Sequence, residues 1–232
     1  LPDENEDLFP DNIDFKDLNR HKSISTGFNV LSRVIYSGEN RKRFAKLIDR
    51  FKPDIIHLQN IHGHISPSVI FEARLRNIPV VWTLHDYKMV CPNTHFSIDS
   101  TDEICEICKN GNYYNAVINR CKKGSLLASL MASMEAYAHR IMGVRDKVDM
   151  FLSPSSFLKG KLLEAGFCPD KVAHIPLFLP DAMFDAHVRR EDDKGYFLFL
   201  GKLDPIKGFF PLLDACRLAP SIKLILAGRI ED

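Results

Sequence analysis

The chain has 232 residues, 45% of them hydrophobic and 26% charged, with a mean hydropathy of -0.13. That composition excludes disordered and fibrous classes and leaves ample apolar side chains for a sizeable core. At roughly 100–200 residues per domain, the length suits one large domain, or one complete domain and part of a second. Thirty-one Lys and Arg against thirty Asp and Glu give a net charge of +1. Such a balance carries no bulk field for nucleic acid or an anionic membrane, so any bound anion needs a local site. No run approaches the ~18 apolar residues of a membrane-spanning helix. The start LPDENEDLFPDNIDF is acidic and lacks a signal peptide's basic and apolar regions, which points to the cytoplasm. Leu1 in place of Met, followed by loop-like residues, leads to the expectation that the chain is a fragment.

Residues 1–22 carry turn formers without a sustained period and read as irregular. From Thr26 to about Phe51 apolar residues recur at helical spacing, with Gly38 interrupting, which predicts one or two helices. Pro53–Leu58 is a short apolar run fit for a buried parallel strand, followed by a His-rich loop with His62 and His64. Ser66 then caps a helix over 66–77, with Pro67 at its first position. Ile78–Asp86 is a second buried strand, and strand–helix–strand at this spacing is the βαβ unit of a parallel sheet. After a cysteine-bearing insertion come a helix over Ser125–Met142, a strand over Lys147–Ser155, a helix closed by Gly166, and a short strand over Lys171–Pro176.

Pro176, Pro180 and the charged run Arg189–Lys194 read as a linker, after which the pattern restarts. GYFLFLG is a strand, KLDPIK a loop, GFFPLLDACRLAP a helix and SIKLILAG a strand. The fold class is therefore α/β: a Rossmann-like parallel-sheet domain over 1–180 with a Cys-rich insertion at 91–121, a linker at 181–194, and the start of a second Rossmann-like domain at 195–232.

Ligands of open parallel sheets sit at the carboxyl ends of strands, so the polar residues that follow each strand are the first candidates. Gly201, Lys202 and Lys207 lie between a strand and a helix start, where two ammonium groups and backbone N–H groups suit a phosphate; an ordinary solvated loop is the alternative. His85 and Asp86 end a buried strand, either as a functional pair or as a histidine satisfied by local backbone. His57 with His62 and His64 reads more simply as exposed or structural histidine than as a metal site. Cys91, Cys105, Cys108 and Cys121 surround a central CxxC and suit a tetrahedral, structural zinc. The alternative is four reduced or partly disulfide-bonded cysteines, and a cytoplasmic compartment disfavours disulfides. Cys168 and Cys216 read as buried packing residues. Leu127, Leu130, Met131, Met134 and Ile141 share one helix face, read first as core and second as a membrane or lipid-acceptor surface.

The segments PDIIHLQNIHG, IPVVWTLHDYKMVCPN, FLSPSSFLKGKLLEAG and FLFLGKLDPIKGFFPLLDACRL with IKLILAG, in this order, resemble the retaining glycosyltransferases of family 4, which have the two-domain GT-B architecture. The likeness covers about residues 25–232, and bacterial polysaccharide and lipopolysaccharide transferases are nearest in character. The resemblance implies a nucleotide-sugar donor, UDP- or GDP-linked, on the C-terminal domain. It also implies a glycan or lipid-linked acceptor on the N-terminal domain, with catalysis in the cleft. Lys207 matches the family's diphosphate lysine, and Lys202 stands where arginine is commoner, which keeps the charge but not the bidentate grip. His85 is implied to shape the reaction centre, with Asp86 and His57 on the acceptor side.

Fixed cations can stabilise charge on a departing diphosphate without a metal, and no Asp-x-Asp pair occurs, so no catalytic metal is expected. The family's glycine-rich loop and Glu-x7-Glu motif do not occur in these residues, and Leu177 replaces the usual Asn after Ile-Pro, so this piece is expected to be inactive alone. Two rivals remain: a nucleotide-sugar epimerase on the same architecture, and a non-catalytic zinc-stapled α/β module or half of a split transferase.

Overall fold

The computed structural model describes residues 31–63, 65–181, 195–203 and 207–229. The expected irregular start, His64, nearly all of the expected linker, and Asp204, Pro205 and Ile206 lie outside the described residues. Two compact units divide between Leu177 and Phe178, and each is described by itself.

In the first unit, residues 31–35 are helical and α1 (Gly38–Phe51) follows a break. Ser37 caps α1 by accepting a hydrogen bond from the Asn40 amide at 3.1 Å. β1 (Ile56–Gln59), α2 (Ser68–Leu75) and β2 (Val80–Thr83) form the first βαβ. The insertion carries a small antiparallel hairpin, β3 (Ser97–Ile98) with β4 (Glu103–Ile104), and the short α3 (Tyr114–Ile118). Then come α4 (Leu126–Ile141), β5 (Met150–Ser153), α5 (Ser156–Glu164) and β6 (Val172–His174). The four long-range strands form one parallel sheet in the order β1-β2-β5-β6. This is the α/β, Rossmann-like arrangement that alternating strands and helices predict.

Three helices end in the same device. Asn77, Gly143 and Gly166 adopt positive φ after α2, α4 and α5, and the next amide returns to the carbonyl five residues back, as in Phe167 to Leu162 at 3.1 Å. The helix starts are less uniform. Ser66 does not take the N-cap position expected of it; Pro67 does, with no side-chain cap bond. Ser66 instead lies buried at φ 71°, and its hydroxyl accepts from the Ser37 amide at 2.9 Å while contacting the Ser68 hydroxyl. A buried knot of Ser37, Ser66 and Ser68 thereby joins the starts of α1 and α2. Glu72, also buried, pairs with Arg41 of α1 and with Arg76.

The core gathers Ile56 and Leu58 of β1, Val80 and Trp82 of β2, Phe151 of β5, and Val69, Ile70, Leu158 and Leu162 of the crossover helices. Burial alternates along β1 and β2, so these strands are not buried on both faces as their apolar composition predicts. His57 and Gln59 point away from the core.

A second departure concerns α4. Its buried residues are Ser129, Ala132, Ser133, Glu135 and His139, whereas Leu127, Leu130, Met134 and Ile141 are exposed. The small residues let α4 approach the insertion closely: the Ser133 hydroxyl donates to the Tyr113 carbonyl at 2.9 Å, and the Ser129 hydroxyl accepts from the Lys122 amide at 3.0 Å. Core packing by the Leu/Met face is therefore overturned. No helix among the described residues is long and apolar enough to cross a membrane.

The second unit contains β7 (Tyr196–Leu200), α6 (Phe209–Leu218) and β8 (Lys223–Ala227), with β7 and β8 paired in parallel from Tyr196↔Lys223 to Leu200↔Ala227. Phe197, Leu198 and Leu200 are exposed. Cys168 is exposed and Cys216 half-buried, so neither is the buried packing residue expected; Cys168 lies in the turn after α5.

Candidate functional site

Parallel strands of the first unit deliver their polar ends to one edge of the sheet. Beyond Thr83, the Leu84 amide still bonds to the Leu152 carbonyl at 2.9 Å, which carries the chain along β5 and sets down His85. His85 is exposed, and its Nε2 lies 3.1 Å from Oε1 of Gln59, the last residue of β1. Asp86 follows at once, and its Oδ1 accepts from the Lys88 amide at 2.8 Å, a side-chain turn that fixes the loop. His85 and Asp86 therefore share this edge with Gln59. His57 does not: it sits within β1 on the open face, with Nε2 2.7 Å from the Thr83 hydroxyl.

In the second unit, Gly201 and Lys202 follow β7 directly, and Lys207 stands just before Gly208, the N-cap of α6. Both lysines are exposed. The strand ends are tied, since the Gly201 amide bonds to Ala227 and the Leu203 amide to Arg229, at 3.0 and 3.1 Å. A Cβ on Gly228 would lie 1.7 Å from the Gly201 carbonyl oxygen, so only glycine permits this close approach.

The four insertion cysteines lie within electrostatic reach of one another, and Cys91, Cys108 and Cys121 are buried. Burial, reinforced by the neighbouring thiols, pushes Cys108 up to about 12, and burial with Cys105, Cys91 and Asp99 pushes Cys121 up to about 11. Burial also raises Cys91, opposed by the backbone N–H groups of Phe96, Asn93, Thr94 and His95, which favour its thiolate. Among the described residues these sulfur atoms are not drawn together as tightly as a single ion requires, and all four are free thiols.

A further polar group was not predicted as a unit. Lys88 and Glu135 form a buried ion pair at 2.6 Å, 47 residues apart in sequence, beside His62 and His139. Glu135 and His139 stand four residues apart on α4, a spacing visible in the sequence but outweighed there by the apolar period of the opposite face. Gln59 carried no sequence signal, because only strand pairing brings it to His85.

A parallel α/β sheet with polar residues gathered at its carboxyl edge defines the class of α/β proteins whose ligands sit at strand ends. A family model for Glycosyltransferase Family 4 matches residues 4–181, and the chain belongs to that family. It is 26% identical over 211 residues to an "Uncharacterized 42.6 kDa protein in cps region" of Klebsiella pneumoniae. That match covers 88% of this chain and 49% of the relative, so the chain spans about half the relative's length.

The Gly201–Gly228 approach makes a local prediction. Gly228→Ala is expected to raise hydrogen exchange at the Gly201 and Leu203 amides by about tenfold or more, through local opening of the tied strand ends. Unchanged exchange at both amides would show that the approach is not tight.

Proposed function

We propose that the intact protein transfers a sugar from a UDP- or GDP-linked donor to a glycan or lipid-linked acceptor, with retention of configuration, in polysaccharide assembly. Family membership supplies the reaction class, and the strand–loop–helix of the second unit is the observation that carries the donor assignment. Lys202 follows β7 and Lys207 precedes Gly208 at the N-terminus of α6, where two ammonium groups and helix amides suit a diphosphate. During transfer the bond between the anomeric carbon and the diphosphate oxygen breaks and its electron pair goes to the diphosphate, while an acceptor hydroxyl oxygen bonds to the anomeric carbon and its proton passes to the departing diphosphate. The lysines stabilise that charge as it develops.

On the first unit, the exposed His85 ring presents polar atoms at the sheet edge, oriented by Gln59, to meet the donor sugar. The Asp86 side chain braces the adjoining loop on the acceptor side. His57, on the open face of β1 with its ring against the Thr83 hydroxyl, is a further candidate on the acceptor side. This reading places the protein in the cytoplasm, with peripheral membrane contact through Leu127, Leu130, Met134 and Ile141 of α4.

We also infer a structural zinc on Cys91, Cys105, Cys108 and Cys121. Their place in one insertion within electrostatic reach of one another, and the backbone N–H groups turned to Cys91, support it, with side-chain rotation drawing the four sulfurs onto the ion. Four thiolates leave no open coordination position, so this ion would staple the insertion rather than act on substrate.

Two experiments test these assignments. In the full-length protein, Lys207→Ala is expected to weaken nucleotide-sugar binding by about 10–100-fold, the loss of one charged hydrogen-bonding group, measured by calorimetry. Unchanged affinity would contradict the donor assignment. Cobalt-loaded protein is expected to show sulfur-to-cobalt charge-transfer absorption, lost in Cys108→Ser; absence of that absorption in folded wild-type protein would contradict the zinc.

A further inference from the structure

Three buried acceptor atoms converge where the loop after β1 meets α4. His62, Glu135 and His139 each offer one ligating atom, and these atoms all lie within 4.8 Å of one another. Both ring nitrogens of His62 and Oε1 of Glu135 are buried with no hydrogen-bond partner. A neutral His62 ring has one N–H and one lone pair, so the unpartnered acceptors here are that lone pair and Oε1 of Glu135; leaving such an atom unsatisfied costs about 1–3 kcal/mol, which points to a missing partner.

The surroundings orient these groups. Oε2 of Glu135 accepts from the Lys88 ammonium at 2.6 Å, which holds the carboxylate and leaves Oε1 as its free oxygen. Nε2 of His139 lies 3.2 Å from the Ile35 carbonyl; as the donor there, it fixes the tautomer whose lone pair is on Nδ1. The His62 ring is tilted over Trp82 at 4.9 Å, which limits its rotation. Burial, reinforced at His62 by the Lys88 charge, holds both histidines below their ordinary protonation range and hence neutral, the form that binds metals.

A single water is a poor filler, because it donates two hydrogen bonds and the cluster offers three acceptors. A divalent ion accepts all three lone pairs. Two imidazoles and one carboxylate select zinc-like transition ions over magnesium or calcium, which take oxygen ligands. We propose that His62, Glu135 and His139 form a binding site for such an ion, separate from the cysteines. Tetrahedral zinc places its ligand atoms about 3.3 Å apart, so modest side-chain rotation closes the site. Three protein ligands leave one position open, and cavities of about 350 and 370 Å³, each lined by His62 and Lys88, adjoin the cluster and give an ion access. The Lys88 ammonium opposes a second positive charge, which makes the site weaker than one built on an unpaired carboxylate.

The test is a cobalt titration of metal-stripped full-length protein, with the fold followed by circular dichroism. Beyond the cobalt that gives sulfur absorption at the cysteines, the expected result is a further cobalt per chain whose ligand-field bands persist in Cys108→Ser, where sulfur absorption is lost, and whose affinity falls at least tenfold in His62→Gln and in His139→Gln. Anomalous scattering at the zinc edge from wild-type crystals soaked in zinc is expected to place a peak among the three residues, whether or not the variants fold. Cobalt binding only with sulfur absorption, unchanged affinity in folded variants, or a water in place of the peak would each overturn the proposal. Failure of nucleotide-sugar transfer would leave these readouts untouched.

Discussion

Burial of Trp82 sets the register from which the other placements in the first unit follow. The ring is 1% exposed, on the central strand β2, between Leu58 of β1 and Phe151 of β5. Side chains alternate along a strand, so a one-residue slip would turn Trp82 outward and carry Val81 and Thr83 into the core. Losing such a side chain from a core costs about 3–5 kcal/mol, which makes the slipped register uncompetitive. With Trp82 inside, Leu84 continues the ladder to β5 and His85 arrives beside Gln59. The same ring forms one wall for His62, so the sheet edge and the buried histidine cluster both depend on it.

Much of this architecture is legible in local sequence. Apolar runs such as Ile56–Leu58 and Val80–Trp82 mark the strands, and Ser125, Ser155 and Gly166 mark helix ends by chemistry that acts within a few residues. Legibility fails where distant partners decide. Ser66 looks like a cap, yet the Ser37 amide, 29 residues away, claims its hydroxyl. The apolar face of α4 looks like core, yet close approach to Tyr113 and Lys122 turns small and polar residues inward. For the same reason the Lys88–Glu135 pair and the Gln59–His85 contact could not be read beforehand. His57, inside the apolar run Pro53–Leu58, lies within β1, as that run predicts.

The two units contribute different chemistry. The first presents an oriented imidazole and carboxylate at a sheet edge, braced by a cysteine-bearing insertion and a buried polar cluster. The second presents two exposed ammonium groups around a glycine-permitted strand end and a helix start. That division fits membership in a family of glycosyltransferases, whose reaction needs a donor and an acceptor.

Product analysis of the full-length protein, incubated with UDP- and GDP-sugars with and without glycan or lipid-linked acceptors, tests this account most directly. It predicts acceptor-dependent release of the nucleoside diphosphate, with the sugar appearing on the acceptor in its original anomeric configuration. Conversion of the donor into an isomeric nucleotide-sugar without any acceptor would contradict it.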